Sequence, residues 1–150
     1  MTVGLILLAA AFAISAAWMV LANSNRAERV LFFPGQIDPA LQGESRVVPR
    51  YGNTERDIEV LISEIFLGPA DLSRTRVVDK QSRVNAVIVR ERTVYIDISP
   101  ETMFLQQRLP LSLEEAFSAI EHTIGYNFRG IHNIVITVGG QLPQQPYFEV

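Results

Sequence analysis

The sequence of 150 residues contains no cysteine, two histidines and one lysine, Lys80. Without cysteine the chain has no disulfide, no thiolate metal ligand, no cysteine nucleophile and no lipid-modified cysteine of the bacterial lipoprotein type. A single lysine also removes most lysine-based chemistry. Basic residues number 13 against 16 acidic ones, a net charge of −3. That charge argues against nucleic acid as a partner, because nucleic-acid binding needs a basic face.

A run without any charged residue extends from Val3 to Ala22. A helix over this run is about 30 Å long at about 1.5 Å per residue, which matches the hydrocarbon core of a bilayer. We therefore expect residues 3–22 to form a transmembrane anchor or a signal segment, with a buried soluble helix as the minor alternative. An uncleaved anchor is favoured because no Lys or Arg precedes the run. Arg26 and Arg29 follow it, and by the positive-inside rule alone they would keep the domain cytoplasmic.

The rest of the chain is long enough to bury one core without cross-links. We predict a polar linker over residues 23–28, an α/β domain over residues 29–140 and an extended tail over residues 141–150. Strand and helix patterns follow the order β-β-α-β-β-β-α-α-β, which predicts an α+β sandwich behind the transmembrane helix. The predicted strands are 30–33, 45–50, 75–79, 84–90, 93–98 and 134–138.

The first predicted helix of the domain carries a single apolar stripe. Thr54 and Asp57 resemble a capping box at its start, and Gly68 followed by Pro69 ends it. Apolar side chains recur between these ends at the spacing of one helix face. They are Ile58, Leu61, Ile62, Ile65 and Phe66.

Two more helices are predicted before the last strand. Ser99 is the expected N-cap of a short helix that ends near Gln107. Ser112 and Glu115 form a full capping box before a longer helix that ends near Phe128.

The two middle strands are predicted to form an antiparallel hairpin with its turn at Glu91-Arg92. Simple alternation places Val84, Ala86 and Ile88 on the core face of the first strand. The opposite face carries Val87, Val89 and Tyr95 and is partly apolar, so we expect helices to cover one side of the sheet and the other side to be partly protected.

Candidate catalytic and metal-binding groups are few. His122, His132 and Glu121 could form a metal site only if the fold brought them together, so neither a metal nor a cofactor is predicted. Asp97 lies beside a helix start and could act as a general base, but we expect it to accept hydrogen bonds from backbone amides near Ser99. No nucleophile elbow and no phosphate-binding loop occur. The chain is therefore predicted not to be an enzyme.

Four segments match a known set of motifs in the right order. Ile65–Pro69 reads Ile-Phe-Leu-Gly-Pro, and Thr93–Ser99 reads Thr-Val-Tyr-Ile-Asp-Ile-Ser. Leu31–Pro34 precedes them, and Thr123–Phe128 with Ile134–Gly140 closes the set. Together these segments resemble the GerMN (sporulation and spore germination) domain family. The signature Leu-Leu-x-Gly-Pro of that family has two leucines where this chain has Ile and Phe.

The resemblance implies a bacterial, extracytoplasmic, membrane-tethered module that is related in fold to the ring-building motifs of secretion and sporulation complexes. It implies a role in protein assembly and no catalytic residue. The motif positions Gly68, Pro69, Tyr95, Asp97 and Ser99 are therefore expected to be structural. The resemblance also favours an extracytoplasmic domain of a single-pass protein in the inner (cytoplasmic) membrane.

We therefore predict a membrane-anchored, non-catalytic interaction or scaffold domain of the bacterial cell envelope. Its expected partners are the membrane, through the N-terminal helix, and other proteins or further copies of the chain, but not nucleic acid. The alternative is a binding module for a small ligand or a cell-wall glycan, or a cryptic hydrolase. That alternative predicts a concave pocket around Arg90, Tyr95 or Asp97.

Overall fold

The fold is α+β in a computed structural model that describes residues 2–23 and 25–143. The helices in these ranges are α1 (Thr2–Asn23), α2 (Thr54–Leu67), α3 (Thr102–Gln106) and α4 (Leu113–Asn127). The strands are β1 (Arg26–Pro34), β2 (Leu41–Pro49), β3 (Val84–Arg90), β4 (Thr93–Ile98) and β5 (Asn133–Val138). Residues 144–150, most of the predicted tail, lie outside the described ranges.

The first helix corrects the prediction of a transmembrane anchor. Helix α1 is 22 residues long, but no helix among the described residues is long and apolar enough to cross a membrane. The predicted single-pass location in the inner membrane, with the domain outside the cytoplasm, rested on that anchor and is corrected with it.

The strands form two separate sheets. Strands β1 and β2 pair antiparallel, with Arg26 opposite Pro49 and Pro34 opposite Leu41. In the second sheet β4 lies in the middle, antiparallel to β3 and parallel to β5. A parallel pair needs a long connection, and α3 and α4 supply it between β4 and β5. Within the described residues, β3 and β5 are therefore the edges of this sheet.

One hydrophobic core joins both sheets to α2 and α4. The apolar stripe of α2 is buried as predicted, from Ile58 to Phe66. Burying each large apolar side chain contributes about 1.5–3 kcal/mol, so this core is the main source of stability. Other members are Leu31, Phe33, Val94, Ile96, Ile98, Phe117, Ile120, Ile124 and Ile136.

Helix α4 takes the place of a strand beside β1. The Thr123 hydroxyl accepts a hydrogen bond from the backbone N–H of Phe32 at 3.1 Å. The Asn127 amide accepts from the N–H of Val30 at 3.1 Å and donates to the carbonyl of Val30 at 2.7 Å. These side chains satisfy strand groups that would otherwise be left unpaired, which fixes α4 against the first sheet.

The core face of β3 differs from the prediction. The register shifts between Val84 and Ala86, so Ala86 lies opposite Asp97 and Val87 lies opposite Ile96. A bulge of this kind adds one residue and reverses the alternation after it. As a result Val87 and Val89 pack on the core together with Val84. Ala86 and Ile88, which were predicted to be inside, lie on the opposite face of the sheet, which points away from the core. We call it the open face.

The strand predicted over residues 75–79 is absent, because this segment forms a loop after an isolated bridge between Gly35 and Arg74. Its two valines, Val77 and Val78, are nevertheless fully buried. The Gln106 side chain donates a hydrogen bond to the carbonyl of Val77 at 3.0 Å. Burial therefore explains the strand-like composition of the loop, and a side chain replaces the ladder of hydrogen bonds.

The N-terminal cap of α4 agrees with the prediction, and the N-terminal cap of α2 differs from it. The capping box of Ser112 and Glu115 on α4 is confirmed. Helix α2, in contrast, is capped by Asn53, whose side chain accepts from the N–H of Arg56 at 2.9 Å. Thr54 is the first helical residue, and Asp57 instead accepts from the N–H of Tyr51 at 2.7 Å.

The first two strands extend beyond their predicted limits. Strand β1 begins at Arg26, inside the segment predicted as a linker, and β2 begins at Leu41 rather than at Ser45. The two strands pair along their whole length, which makes polar residues such as Arg26 part of the hairpin. Pairing partners therefore decided these boundaries, and local propensity did not.

Candidate functional site

Asp97 lies on the face of β4 that points away from the core, where it joins three strands. One carboxylate oxygen, Oδ1, accepts hydrogen bonds from the Thr137 hydroxyl of β5 and the backbone N–H of Gly140, both at 2.7 Å. The other, Oδ2, accepts from the Asn85 amide of β3 at 2.9 Å. We call these four residues, Asp97, Asn85, Thr137 and Gly140, the Asp97 corner. We expected Asp97 to bind backbone amides near Ser99. The backbone amide that it binds belongs to Gly140 instead.

The electrostatics of the Asp97 corner keep the carboxylate ionised. Partial burial by itself raises the pKa of Asp97, but the three hydrogen bonds outweigh it, so the pKa lies below its ordinary value. A general base works best when its pKa is close to the operating pH. Asp97 is therefore a poor base and a strong acceptor that locks the end of the sheet.

Ser99 follows β4 and is buried, but it does not cap α3. Its hydroxyl accepts from the N–H of Arg83 at 3.2 Å, and its own N–H donates to the carbonyl of Arg83 at 2.9 Å. The residue before α3 is Glu101, which makes no side-chain capping bond. Ser99 therefore fixes the entrance of β3, a long-range role in place of the predicted local one.

Tyr95 occupies the centre of the open sheet face. It lies directly opposite Ile88 on β3 and Val135 on β5. Tyr95 is 45% exposed and Ile88 is 47% exposed. The three side chains form an apolar row across the sheet. The predicted place of Tyr95 on this face is confirmed, but Val87 and Val89, predicted beside it, pack on the core.

Gly68 and Pro69 lie elsewhere, at the carboxyl end of α2. The φ angle of Gly68 is +88°, a region that side chains disfavour, and a Cβ atom there would come within 2.8 Å of the Arg76 guanidinium. Arg76 donates to the carbonyl of Phe66 at 2.7 Å, and Arg46 donates to the carbonyl of Gly68 at 2.6 Å. Because the last turn of α2 has no basic residue of its own, these two arginines supply the cations that its dipole favours.

Glu44 connects this helix end to the loop that follows it. Its carboxylate pairs with Arg46 at 2.6 Å and with Arg74 at 3.0 Å, and it accepts from the N–H of Ala70. Burial raises the pKa of Glu44, but these hydrogen bonds and the charge of Arg46 outweigh it and lower the pKa overall. This network was not predicted from the sequence, although Glu44 and Arg46 are two residues apart and therefore share one face of β2.

The two histidines occupy different places. The ring of His122 meets the ring of Phe32 edge-on, with centroids 4.4 Å apart. His132 precedes β5, where its backbone N–H donates to the carbonyl of Arg92 at 2.7 Å. Among residues 2–23 and 25–143, no three His, Cys, Asp or Glu side chains are placed to hold a metal ion.

Arg90, Tyr95 and Asp97 line none of three hollows found on the described surface. The most voluminous of these three, about 950 Å³, lies between α4 and β5. We call it the α4–β5 groove; its lining residues are Leu113, Glu114, Phe117, Ser118, Glu121, Ile134, Val135, Ile136, Leu142 and Pro143. The groove was not predicted from the sequence. The seven-residue spacing of Glu114 and Glu121 places both on one side of the helix but does not indicate a hollow.

Comparison with protein families matches residues 30–143 to Germane, described as sporulation and spore germination. The match includes every motif position discussed above and confirms the resemblance to GerMN domains. Comparison with curated proteins gives no match.

Two solved structures share this fold. The tandem GerMN domains of the sporulation protein GerM from Bacillus subtilis align with a TM-score of 0.63 at 11% identity, covering 79% of this chain and 40% of that chain. The first GerMN domain of the same protein aligns with a TM-score of 0.57 at 16% identity, covering 79% and 90%. The chain thus spans less than half of the tandem structure, and at these identities the likeness concerns the fold alone.

Proposed function

We propose that this chain, which belongs to the Germane family of sporulation and spore germination domains, is a non-catalytic protein-interaction domain that acts as a scaffold. Its partners are proteins or further copies of the chain, and neither nucleic acid nor a cofactor takes part. The observation that carries the proposal is the Asp97 corner. There the one carboxylate among the five motif positions uses both of its oxygens to hold the sheet together.

The chemistry of Asp97 supports a non-catalytic role. Its three hydrogen-bond donors come from β3, β5 and the turn after β5, all parts of the scaffold. A substrate proton would have to displace one of these bonds, and the lowered pKa disfavours its transfer to the carboxylate. The other motif residues also act on the backbone or on the sheet surface.

The open face of the second sheet supports binding to a protein. Ile88, Tyr95 and Val135 form a row across three strands. Two of its side chains are nearly half exposed. Tyrosine is enriched at protein interfaces, where its ring and hydroxyl serve apolar and polar contacts together. A sheet face of this kind suits a protein surface better than a small molecule.

The alternative of a ligand-binding or hydrolytic module has less support. It requires a concavity at Arg90, Tyr95 or Asp97, and the three hollows described above are lined by other residues. The α4–β5 groove is concave, but its charged groups are two glutamates about 10 Å apart along the helix by the helical rise. That arrangement suits an extended chain.

Chemical crosslinking tests the proposal. Native cells that produce the affinity-tagged full chain are treated with formaldehyde, and the chain is purified under denaturing conditions. We expect discrete adducts of defined mass, identified by mass spectrometry as a second protein or a second copy. Cells that produce only the tag are the control. The uncrosslinked chain alone, at a crosslinker dose that captures other assemblies of the same cells, would contradict the proposal.

A further inference from the structure

The α4–β5 groove has the dimensions of a short extended peptide. Its wall on α4 runs from Leu113 to Glu121, about 12 Å at about 1.5 Å per residue. Its other wall is β5, from Ile134 to Ile136. An extended chain rises about 3.3 Å per residue, so about four residues fit along the groove. Leu142 and Pro143 also line it.

Strand β5 offers a place for a further strand. It pairs with β4 on one side, and within residues 2–23 and 25–143 no strand pairs with its other side. The edge of a sheet presents backbone N–H and C=O groups that an added strand satisfies. The groove lies along this strand, so a segment bound there would extend the sheet beside α4.

The groove is apolar at its base and acidic at its rim. Phe117 and Ile136 are buried beneath it, and Leu113 and Ile134 are partly buried. Glu114 and Glu121 supply its charged side chains, and no Arg, Lys or His lines it. Among the described residues, no hydrogen bond or salt bridge reaches the Glu121 carboxylate. Partial burial raises the pKa of Glu121, so a cation placed beside it would offset an existing cost.

Resting on the proposed function, we propose that the α4–β5 groove binds an extended segment of a partner protein, apolar and carrying arginine or lysine, which adds to β5 as a fourth strand. The apolar side chains of the segment pack on Phe117 and Ile134, and its cations face Glu114 and Glu121. The backbone supplies affinity, and the two glutamates select basic over acidic segments.

Charge argues against the chain's own tail as the occupant. Residues 144–150 contain Glu149 and neither lysine nor arginine. A second copy offers basic strands, but the groove would then produce self-association, which is measurable. Both occupants are separate outcomes of the test.

A synthetic peptide tests the inference with the full-length chain. The probe is fluorescein-labelled Thr-Arg-Thr-Val-Thr-Arg-Thr, whose two arginines and central valine lie on one face of an extended strand, and the control peptide has glutamate in place of both arginines. Fluorescence anisotropy should show saturable binding of the basic peptide, weakened severalfold by a rise from 50 mM to 500 mM salt, and at least tenfold weaker binding of the acidic one. Equal affinity for both peptides, or no binding of the basic one, overturns the proposal.

Variants locate the binding on the protein. Glu114→Gln combined with Glu121→Gln should weaken the basic peptide about tenfold, because two partly screened charge pairs are lost. Glu28→Gln removes an exposed carboxylate from β1 and should change affinity less than twofold. Ser118→Trp fills the groove from the exposed side of α4 and should abolish binding without altering the melting temperature. Unchanged affinity in the double variant and in Ser118→Trp overturns the proposal.

Two results assign the groove to another occupant and overturn the proposal. One is dimers in sedimentation that disappear with Ser118→Trp, which assigns it to a second copy. The other is a chain ended at Pro143 that binds the basic peptide more than tenfold more tightly, which assigns it to the tail. The proposed function fails separately: adducts that persist in Ser118→Trp contradict only the groove, whereas wild-type cells without adducts contradict the interaction domain itself.

Discussion

The Asp97 corner and the α4–β5 groove both involve β5 and both contain carboxylates, yet they use them in opposite ways. Asp97 accepts three hydrogen bonds, and its pKa lies below the ordinary value. Glu121 lines an open groove, and partial burial raises its pKa. The carboxylate of Asp97 stabilises the fold through its hydrogen bonds, and the carboxylate of Glu121 is available to a partner.

The difference separates maintenance of the fold from binding. Gly68 and Asp97 carry the family resemblance, and both serve backbone geometry. Glu114, Glu121 and Ser118 lie outside the short motifs and line a surface. In this domain, then, the charged residues that we expect to select a partner lie outside the motifs by which the family is recognised, although Ile134 and Ile136 of the closing motif also line the groove.

Removing the carboxylate of Asp97 or of Glu121 should give the largest difference in stability between the Asp97 corner and the α4–β5 groove. Asp97→Ala leaves Gly140 N–H and the Thr137 hydroxyl without their acceptor, and we expect the free energy of unfolding to fall by about 3 kcal/mol. Glu121→Ala removes no hydrogen bond seen among the described residues and should change it by less than about 0.5 kcal/mol. Urea denaturation followed by circular dichroism measures both. Equal losses of unfolding free energy in the two variants would contradict the distinction between the Asp97 corner and the groove.

Two glycines extend the comparison to the helix ends. Gly68→Ala forces a side chain into a positive φ and against Arg76, and should cost about 1–3 kcal/mol. Gly125→Ala in α4 meets no atom within 4 Å and should stabilise the chain by about 0.5–1 kcal/mol. Thermal denaturation should therefore shift in opposite directions. A stabilised Gly68→Ala chain would show that the helix end tolerates a side chain.

Acid titration of stability should give the smallest effect, with opposite signs. The folded pKa of Asp97 is depressed, so its contribution is complete above the unfolded value of about 3.9 and is lost as pH falls through the folded value. The folded pKa of Glu121 is raised, so its ionised form destabilises the chain above that pKa, and the penalty disappears below the unfolded value of about 4.3.

Single variants isolate these two contributions. Asp97→Asn should be less stable than wild type at pH 7, and the gap should narrow below pH 4. Glu121→Gln should be slightly more stable at pH 7, with its gap also closing in acid. Urea unfolding between pH 2.5 and 7 measures both differences. A Glu121→Gln chain that loses stability at pH 7 would mean that the carboxylate has a structural partner.

Features that depend on a few consecutive residues were predicted correctly from the sequence. The stripe of α2, the capping box of Ser112 and Glu115, and the stop at Gly68 each depend on a few consecutive residues, and the structure contains all three. The motif order likewise identified the family. These features follow from periodicity and caps, which a single chain displays directly.

Features set by distant partners were not predicted. The bulge at Ala86 depends on the register against β4, and it reverses the core face of β3. The loop from residue 75 to residue 79 is valine-rich because it is buried, not because it pairs. The α4–β5 groove exists because α4 and the edge of β5 leave space between them, which no local pattern records.

Photocrosslinking from the groove tests the central claim, that this domain works by binding a protein there. A photoreactive amino acid with a small aliphatic diazirine side chain, which does not fill the groove as tryptophan does, replaces Ser118 in the full chain, and adducts are measured in native cell extract with and without excess basic peptide. We predict one discrete protein adduct that the basic peptide suppresses and the acidic peptide leaves intact. No adduct from position 118, or an adduct that both peptides leave unchanged, would contradict the account.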